Sequence, residues 1–452
     1  MILDPWTGAA DRARERRRGG SRKDDHGSTT HPSAGSTGVT FSVKRSGSAG
    51  ALLGAATLLG YMIGADRAFN YDASVTMQNF VTGSVGDVFT RQTVYNNHPL
   101  LSLVEHVVSS VTGSVDESTM RFAPALFAAS AVGILTWRVA ARWGLAAGIV
   151  GGVLLATHPT LTSQRDVRGY TLAVLAIVLM GVAVLDIGSP ALFAVALAVG
   201  VGTHVYAAIP AAALLVFLWS SGALTSKWRL AGAVGFVAGL ACYAGMIHEM
   251  GRKGRVFRPR FPIDAGWELL GGGIIAAIAL SCLLLLALRQ RPPTPILLGA
   301  AVTSLGVFGP WLLAPVDLYP RFVYYAVPAL ALAASAAVKY DRRLFIVGFI
   351  AAVAMLAPSL RTWTHDELPN RQLAQVARGR VCGVGYPVEA LRWYKPDIVV
   401  GTDCPVVAIL RPEAIQKDAA TARVLWPALC WSVPSAELRA RTSQECPVSP
   451  RP

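Results

Sequence analysis

Long uncharged stretches dominate the polarity pattern of this chain. Eleven blocks carry no Asp, Glu, Lys or Arg: roughly 48–65, 122–137, 144–160, 171–185, 190–203, 206–220, 230–247, 270–288, 296–314, 322–338 and 344–358. A helix needs about 20 apolar residues to cross a bilayer, so these blocks predict membrane spans whose ends extend into flanking polar turns. The blocks 190–203 and 206–220 are separated only by His204 and Val205. They could form one helix, which would leave ten spans.

Charge decides between the two counts. With the N-terminal tail inside and eleven spans, the internal loops contain Arg138/Arg142, Lys227/Arg229, Arg289/Arg291 and Lys339/Arg342/Arg343. That obeys the positive-inside rule, whereas ten spans would put the last three groups outside. Eleven spans place the C-terminal segment on the outer face. One loop departs from the rule: His248 to Glu268 should be outside, yet it carries Arg252, Lys253, Arg255, Arg258 and Arg260. We take it as a mobile cationic cover that gathers an anionic lipid or phosphate-bearing substrate, with Gly251, Gly254 and Pro259 supplying freedom of movement.

Composition agrees with this pattern. The 452 residues are 53% apolar and 15% charged, with mean hydropathy +0.45, against about 25% charged in soluble domains. A wholly water-soluble globule is excluded. The net charge of +14 would suggest nucleic acid in a soluble chain. Here nine of the Lys and Arg residues lie in the first 45, in a segment rich in Gly, Ser and Thr. Residues 1–47 are therefore expected to be a disordered, basic, cytoplasmic, topology-setting tail, and no nucleic-acid partner is expected.

Four of the six cysteines, Cys382, Cys404, Cys430 and Cys446, lie in 359–452. An even number confined to one polar segment suggests two disulfides in an oxidising compartment, with three connectivities open. A zinc site is the alternative, but no close Cys pair is present. The segment is expected to be a small α/β unit, with strands at Val381–Tyr386 and Pro405–Leu410 and helices at Val388–Tyr394 and Pro412–Trp426. Cys242 and Cys282 fall in apolar blocks and are expected to be packing residues.

No Asp, Glu, Lys or Arg interrupts any block, which disfavours a coupled transporter or flippase, the alternative reading, because such proteins keep charges near the midplane. A membrane scaffold would leave the outer loops without a purpose. The ionisable groups crowd into those loops instead. The first, 66–121, is far longer than a connector requires. It holds Tyr71-Asp72-Ala73 and Asn96-Asn97-His98-Pro99-Leu100-Leu101, with apolar residues at helical spacing over Val75–Val81 and Leu100–Val111. Those stretches predict amphipathic helices along the interface. Later outer segments read Ser163-Gln164-Arg165-Asp166-Val167-Arg168-Gly169-Tyr170 and Tyr319-Pro320-Arg321-Phe322-Val323-Tyr324-Tyr325.

Taken in order, the acidic motif at Asp72, the His98–Leu101 run, the Ser-Gln-x-x-x-Arg-x-Tyr pattern from Ser163 to Tyr170, and the Tyr-x-Arg-Phe…Pro element from Tyr319 to Pro328 resemble a family. It is that of the GT-C glycosyltransferases using polyprenyl-phosphate sugars, of the protein-mannosyltransferase-like kind. The family usually carries an Asp-Glu pair after the first span; here only Asp72 is acidic, with Asp87, Glu105 and Asp116-Glu117 as reserve acids. The resemblance implies an α-helical polytopic membrane protein with a GT-C-like module over 48–358 and a small extracytoplasmic α/β domain over 359–452. It also implies a plasma-membrane enzyme that moves a hexose or pentose, with inversion, from a polyprenyl-phosphate donor to a glycan, lipid or protein hydroxyl.

That chemistry needs a carboxylate to take the acceptor proton, and Asp72 is the candidate. It also needs cations and donors where phosphate charge builds up. Arg165, Arg168, Tyr170, Arg321 and Tyr324, with Arg258 and Arg260 from the cationic loop, are expected to bind the donor phosphate. His98, Asn97 and His204 are expected to line the substrate side. As alternatives, Asp72 is a helix cap, His98 and His204 are turn residues, and Tyr324 and Tyr325 are interfacial anchors. No Walker, dinucleotide-binding, His-Glu-x-x-His or nucleophile-elbow motif is present. No cofactor is demanded. A divalent metal is compatible with the sequence, although no acidic cluster requires one.

Overall fold

A computed structural model describes residues 36–90, 98–162, 166–220, 222–245, 261–289, 320–364, 370–377, 379–384, 390–400, 406–410, 428–433 and 436–440. Every apolar block among these residues carries a helix, the form in which a span satisfies its own backbone. In chain order the helices are α1 Ser36–Met62, α2 Tyr71–Thr76, α3 Val85–Thr90, α4 Pro99–Thr112, α5 Glu117–Trp143 and α6 Leu145–Thr157. Then follow α7 Tyr170–Val182, α8 Pro190–Thr203, α9 Ala208–Ser220, α10 Ser226–Ala241, α11 Phe261–Leu269, α12 Ile274–Arg289, α13 Val327–Tyr340 and α14 Leu344–Thr364. The block 296–314 lies outside the described residues.

The helices are less uniform than the eleven blocks. Among the described residues, three are long and apolar enough to cross a bilayer unaided: Glu117–Trp143, Tyr170–Ile187 and Val323–Tyr340. The block 270–288 is not one straight span. Ile263–Leu269 and Ile274–Leu286 meet at 83°, across Gly271 and Gly272, whose φ values of 92° and 66° favour glycine. The helical part of the expected outer cover therefore starts at Phe261, with Ala265 and Leu269 buried in the main core. The separation at His204 is real: α8 ends on its extended backbone (φ −156°), and a short 3₁₀ turn, Val205–Ala207, precedes α9.

Small residues let helices approach closely where no hydrophobic force drives them together. Between α1 and α5, a Cβ on Gly50 would come within 2.6 Å of the Gly133 carbonyl oxygen, and one on Gly133 within 3.0 Å of the Gly50 carbonyl oxygen. The core then fills with Ala, Val and Leu from α5, α6, α7, α8 and α13.

The long loop 66–121 forms α2, α3 and α4, with π-helical Met77–Val81 continuing α2. Helices therefore occupy both stretches, 75–81 and 100–111, that the apolar spacing marks. Beyond α14 lie α15 Asn370–Val376, β1 Arg380–Val384, α16 Leu391–Tyr394, β2 Val399–Val400, β3 Val406–Leu410, β4 Ala428–Val433 and β5 Ala436–Ala440. The strand order is β2-β1-β3-β5-β4; β1 is parallel to β2 and β3, while β5 is antiparallel to β3 and β4. The strands expected near 381–386 and 405–410 correspond to β1 and β3. The helix expected at Val388–Tyr394 shortens to α16, and the one at Pro412–Trp426 lies outside the described residues. The hairpin β4–β5 was not expected. Cys242 and Cys282 are free thiols, and Cys382 on β1 is disulfide-bonded. Cys404 and Cys446 lie outside the described residues, so the expected pairing scheme stays open.

This C-terminal unit docks on the long loop 66–121 and the start of α5. Asn370 Nδ2 donates to the Phe69 carbonyl (2.7 Å). The Tyr394 hydroxyl accepts from the Phe69 amide (2.6 Å) and donates to Glu117 (2.8 Å). Arg371 pairs with Glu117 at 2.6 Å. The two polar segments therefore share one end of the bundle.

Candidate active site

Two short backbone devices assemble the site. Asn70 caps α2 by accepting the Ala73 amide (2.9 Å), which fixes Asp72 in the first turn of a helix. At the entry to α7, the Arg168 amide donates to the Asp166 carbonyl at 2.5 Å, closing a three-residue turn. That turn sends the side chains of Asp166 and Arg168 to different partners.

Asp166 meets Arg121. The Arg121 side chain is 1% exposed and that of Asp166 7%. Arg121 Nε donates to Asp166 Oδ1 (2.6 Å), and its amines donate to the carbonyls of Ala65, Arg67 and Ala68. Its guanidinium also lies 5.1 Å from the centre of the Phe69 ring. This cation is saturated. It ties the stretch leading to Asp72 onto the turn that carries Arg168.

Arg168 meets Asp72. Its Nη1 donates to Asp72 Oδ2 at 2.5 Å, with side-chain exposures of 2% and 23%. Its other amine, Nη2, is buried with no hydrogen-bond partner. The hydroxyls of Ser74, Tyr170 and Tyr324 are in the same condition. Buried polar atoms in native proteins are nearly always satisfied, so a cluster of exceptions marks a place for a polar ligand or water.

An aromatic cluster surrounds this point. Arg168 lies 5.2 Å from the Tyr170 ring centre. Tyr170 is 5.0 Å from Tyr324 and 5.3 Å from His98, while His98 and His204 stack at 5.4 Å. His204 is also 5.2 Å from Tyr324. His98 Nδ1 is 3.2 Å from the Thr203 carbonyl. A carbonyl only accepts, so Nδ1 carries the proton and Nε2 becomes the acceptor in the neutral ring. His204 has the opposite tautomer preference, because its Nδ1 accepts from the Tyr206 amide (3.4 Å). Gly169 permits the crowding: a Cβ there would sit 2.4 Å from Thr203 and 3.0 Å from His98.

Five sequence-derived candidates thus converge with Asp72: Arg168, Tyr170, Tyr324, His98 and His204. Tyr324 and Tyr325 are buried rather than interfacial anchors. His204 is a turn residue and a member of the cluster at once. Arg321 lies in the 3₁₀ turn Pro320–Ala326, and only its backbone is described. Asn97, Arg165, Arg258 and Arg260 lie outside the described residues.

The reserve acids are occupied elsewhere or remote from any contact with Asp72. Asp87 accepts from the Ser84 amide (2.8 Å). Asp116 caps α5 through the Thr119 amide (2.9 Å), and the hydroxyls of Ser114 and Thr119 hold its carboxyl down to about 2. Glu117 is bound by Arg371 and Tyr394. Glu105, on the buried face of α4, has no partner for either oxygen, and burial pushes its carboxyl well above the usual range. No group of three or more His, Cys, Asp or Glu gathers as a metal site among the described residues.

Arg121, Asp166 and Gly169 were not singled out from sequence. An arginine one residue before an apolar block, where a solvated flank would do, was the available signal for Arg121. No family model and no curated relative matches the chain. Among solved structures, it is similar to the crystal structure of ArnT from Cupriavidus metallidurans in the apo state. The TM-score is 0.56 at 14% identity, covering 88% of this chain and 99% of that one, a likeness that supports the GT-C-like membrane fold.

Proposed function

We propose that this protein is an inverting membrane glycosyltransferase that takes a sugar from a polyprenyl-phosphate donor and transfers it to a hydroxyl of a cell-envelope glycan, lipid or protein. The observation that carries the reading is the Arg168 guanidinium, which holds Asp72 with one amine and keeps the other buried and unpartnered. In this reading Asp72 takes the acceptor proton as its oxygen bonds to the anomeric carbon. The bond from that carbon to the phosphate oxygen breaks, and the lipid phosphate leaves with the electron pair. Arg168 Nη2 and the Tyr170 and Tyr324 hydroxyls donate to the phosphate oxygens on which charge grows. Arg321, Arg165 and the loop arginines Arg258 and Arg260 add positive charge. His98, Asn97 and His204 line the acceptor side. The likeness to ArnT agrees with the membrane-helical fold that this reading requires.

The same reading makes 48–358 the catalytic module and 359–452 an extracytoplasmic unit, with an eleven-span topology that leaves the N-terminus cytoplasmic. The polar end carrying the site then faces outward.

The test is sugar transfer by the purified protein with a panel of polyprenyl-phosphate sugars, comparing wild type with Asp72→Asn. Loss of a general base lowers the rate about 10²- to 10⁴-fold, and donor binding should be largely retained. Retained turnover in the variant moves the base elsewhere, with Glu105 the first acid to try. No transfer by wild type from any such donor would sink the enzyme reading.

A further inference from the structure

The three long helices all run from the Asp72–Arg168 end toward the opposite end, where α5 finishes with Arg138, Arg142 and Trp143, the helix of α7 continues past Asp186, and α13 finishes with Lys339 and Tyr340. From there an apolar groove runs back along the bundle as far as Tyr325, lined by Leu135, Val139, Ile177, Leu214 and Leu332. Its side along α7, from Ile177 to Asp186, is about 13 Å long at helical rise. That suits a stretch of lipid chain, not a sugar or a peptide.

Among the described residues, charge at the mouth of the groove is mainly positive. Arg138 ion-pairs with Asp186, and Arg142 approaches the same carboxylate at 3.4 Å and donates to the Leu185 carbonyl at 3.0 Å. Lys339 lies 5.8 Å from the Trp143 ring centre. The following turn adds Asp341, Arg342 and Arg343. Two arginines thus share one carboxylate, and the surrounding groups add further positive charge. Trp143 lines the groove, and its indole N–H is buried without a partner. The arginine and aspartate side chains remain a quarter to a third exposed, so a headgroup can reach them.

We infer that this groove is a second lipid site, which takes one acyl chain of an anionic phospholipid from the leaflet opposite the candidate active site. The phosphate sits against Arg138 and Arg142, and the Trp143 N–H donates to the headgroup or its ester carbonyl. The occupant is a phospholipid rather than the sugar donor because its cationic mouth is at the far end of the bundle from Arg168. Anionic lipid at a basic membrane-facing pocket is favoured by about fivefold per basic residue near the surface.

Trp143 serves as the probe. The full-length protein is titrated with brominated-chain phosphatidylglycerol or phosphatidylcholine in detergent micelles, and quenching is taken as the difference from Trp143→Phe. Saturable quenching by phosphatidylglycerol, weaker for phosphatidylcholine, is expected. Arg138→Gln with Arg142→Gln should weaken it about 25-fold. Asp186→Asn, which removes the competing carboxylate, should tighten it, an effect that mere loss of structure would not produce. Equal quenching by the two lipids, no response to either substitution, or displacement by an equal concentration of polyprenyl phosphate would overturn the assignment. The readout needs no sugar transfer, so its failure and failure of the transferase reading are separable.

Discussion

Two buried arginine–aspartate pairs flank the same three-residue turn, and they differ in what is left over. Arg121 meets Asp166 through both Nε and Nη2 and gives its other donors to three backbone carbonyls. Arg168 gives Asp72 one hydrogen bond and keeps a buried amine with no partner. A saturated buried cation holds chain segments together. An unsaturated one, beside a more accessible carboxylate, is ready for a ligand. Burial alone therefore does not separate scaffold from chemistry here; the hydrogen-bond inventory does.

Breaking the saturated pair should have the larger effect on folding. Arg121→Ala leaves Asp166 buried without its cation and three carbonyls without donors, and removing one partner of a buried pair costs about 3–5 kcal/mol. Thermal unfolding of the detergent-solubilised protein should show a large fall in midpoint or a loss of folded yield. An unchanged midpoint would remove Arg121 from the scaffold.

Arg168→Ala sharpens the contrast. A charge-assisted hydrogen bond contributes about 1.5–3 kcal/mol, so donor binding should weaken roughly 10- to 100-fold while the unfolding midpoint moves less than in Arg121→Ala. If the two variants show the same pattern, the distinction between the pairs fails.

The smallest effect belongs to the α5 cap, a purely local device. Asp116→Ala should cost about 1 kcal/mol. Because the folded-state carboxyl is held down to about 2, the cap contributes fully above its ordinary value near 3.8 and is lost as pH falls through about 2. The stability difference between wild type and variant should accordingly shrink between pH 4 and pH 2. A difference that stays constant over that range would show that the charge plays no part.

Much of this was legible along the chain. A long uncharged apolar run favours a helix, which satisfies its own backbone, so each block in the described residues carries one, and the extended His204 separates two of them. Asp72, Arg168 and Tyr170 stood out because they sit in polar loops between apolar runs, in motifs that resemble a glycosyltransferase family. What escaped was pairing over distance. Arg121 and Asp166 are separated by 44 residues in a region without a repeat, and nothing local announces that they meet. Gly169 could not be told from any other loop glycine, because its role is to let Thr203 and His98 approach. The bend at Gly271 and Gly272 was hidden inside an apolar block that hydropathy alone treats as straight. The hairpin β4–β5 was missed because short strands in a small docked unit leave little alternation to detect.

The most direct test is a structure of the protein with bound polyprenyl phosphate, and the quantity to measure is the distance from the phosphate oxygens to Arg168 Nη2. The account predicts a charge-assisted contact of about 2.7–2.9 Å, with the Asp72 carboxylate still on Nη1 and the Tyr170 or Tyr324 hydroxyl donating to the same group. A phosphate bound elsewhere in the protein, with Nη2 satisfied by a structural water, would contradict it.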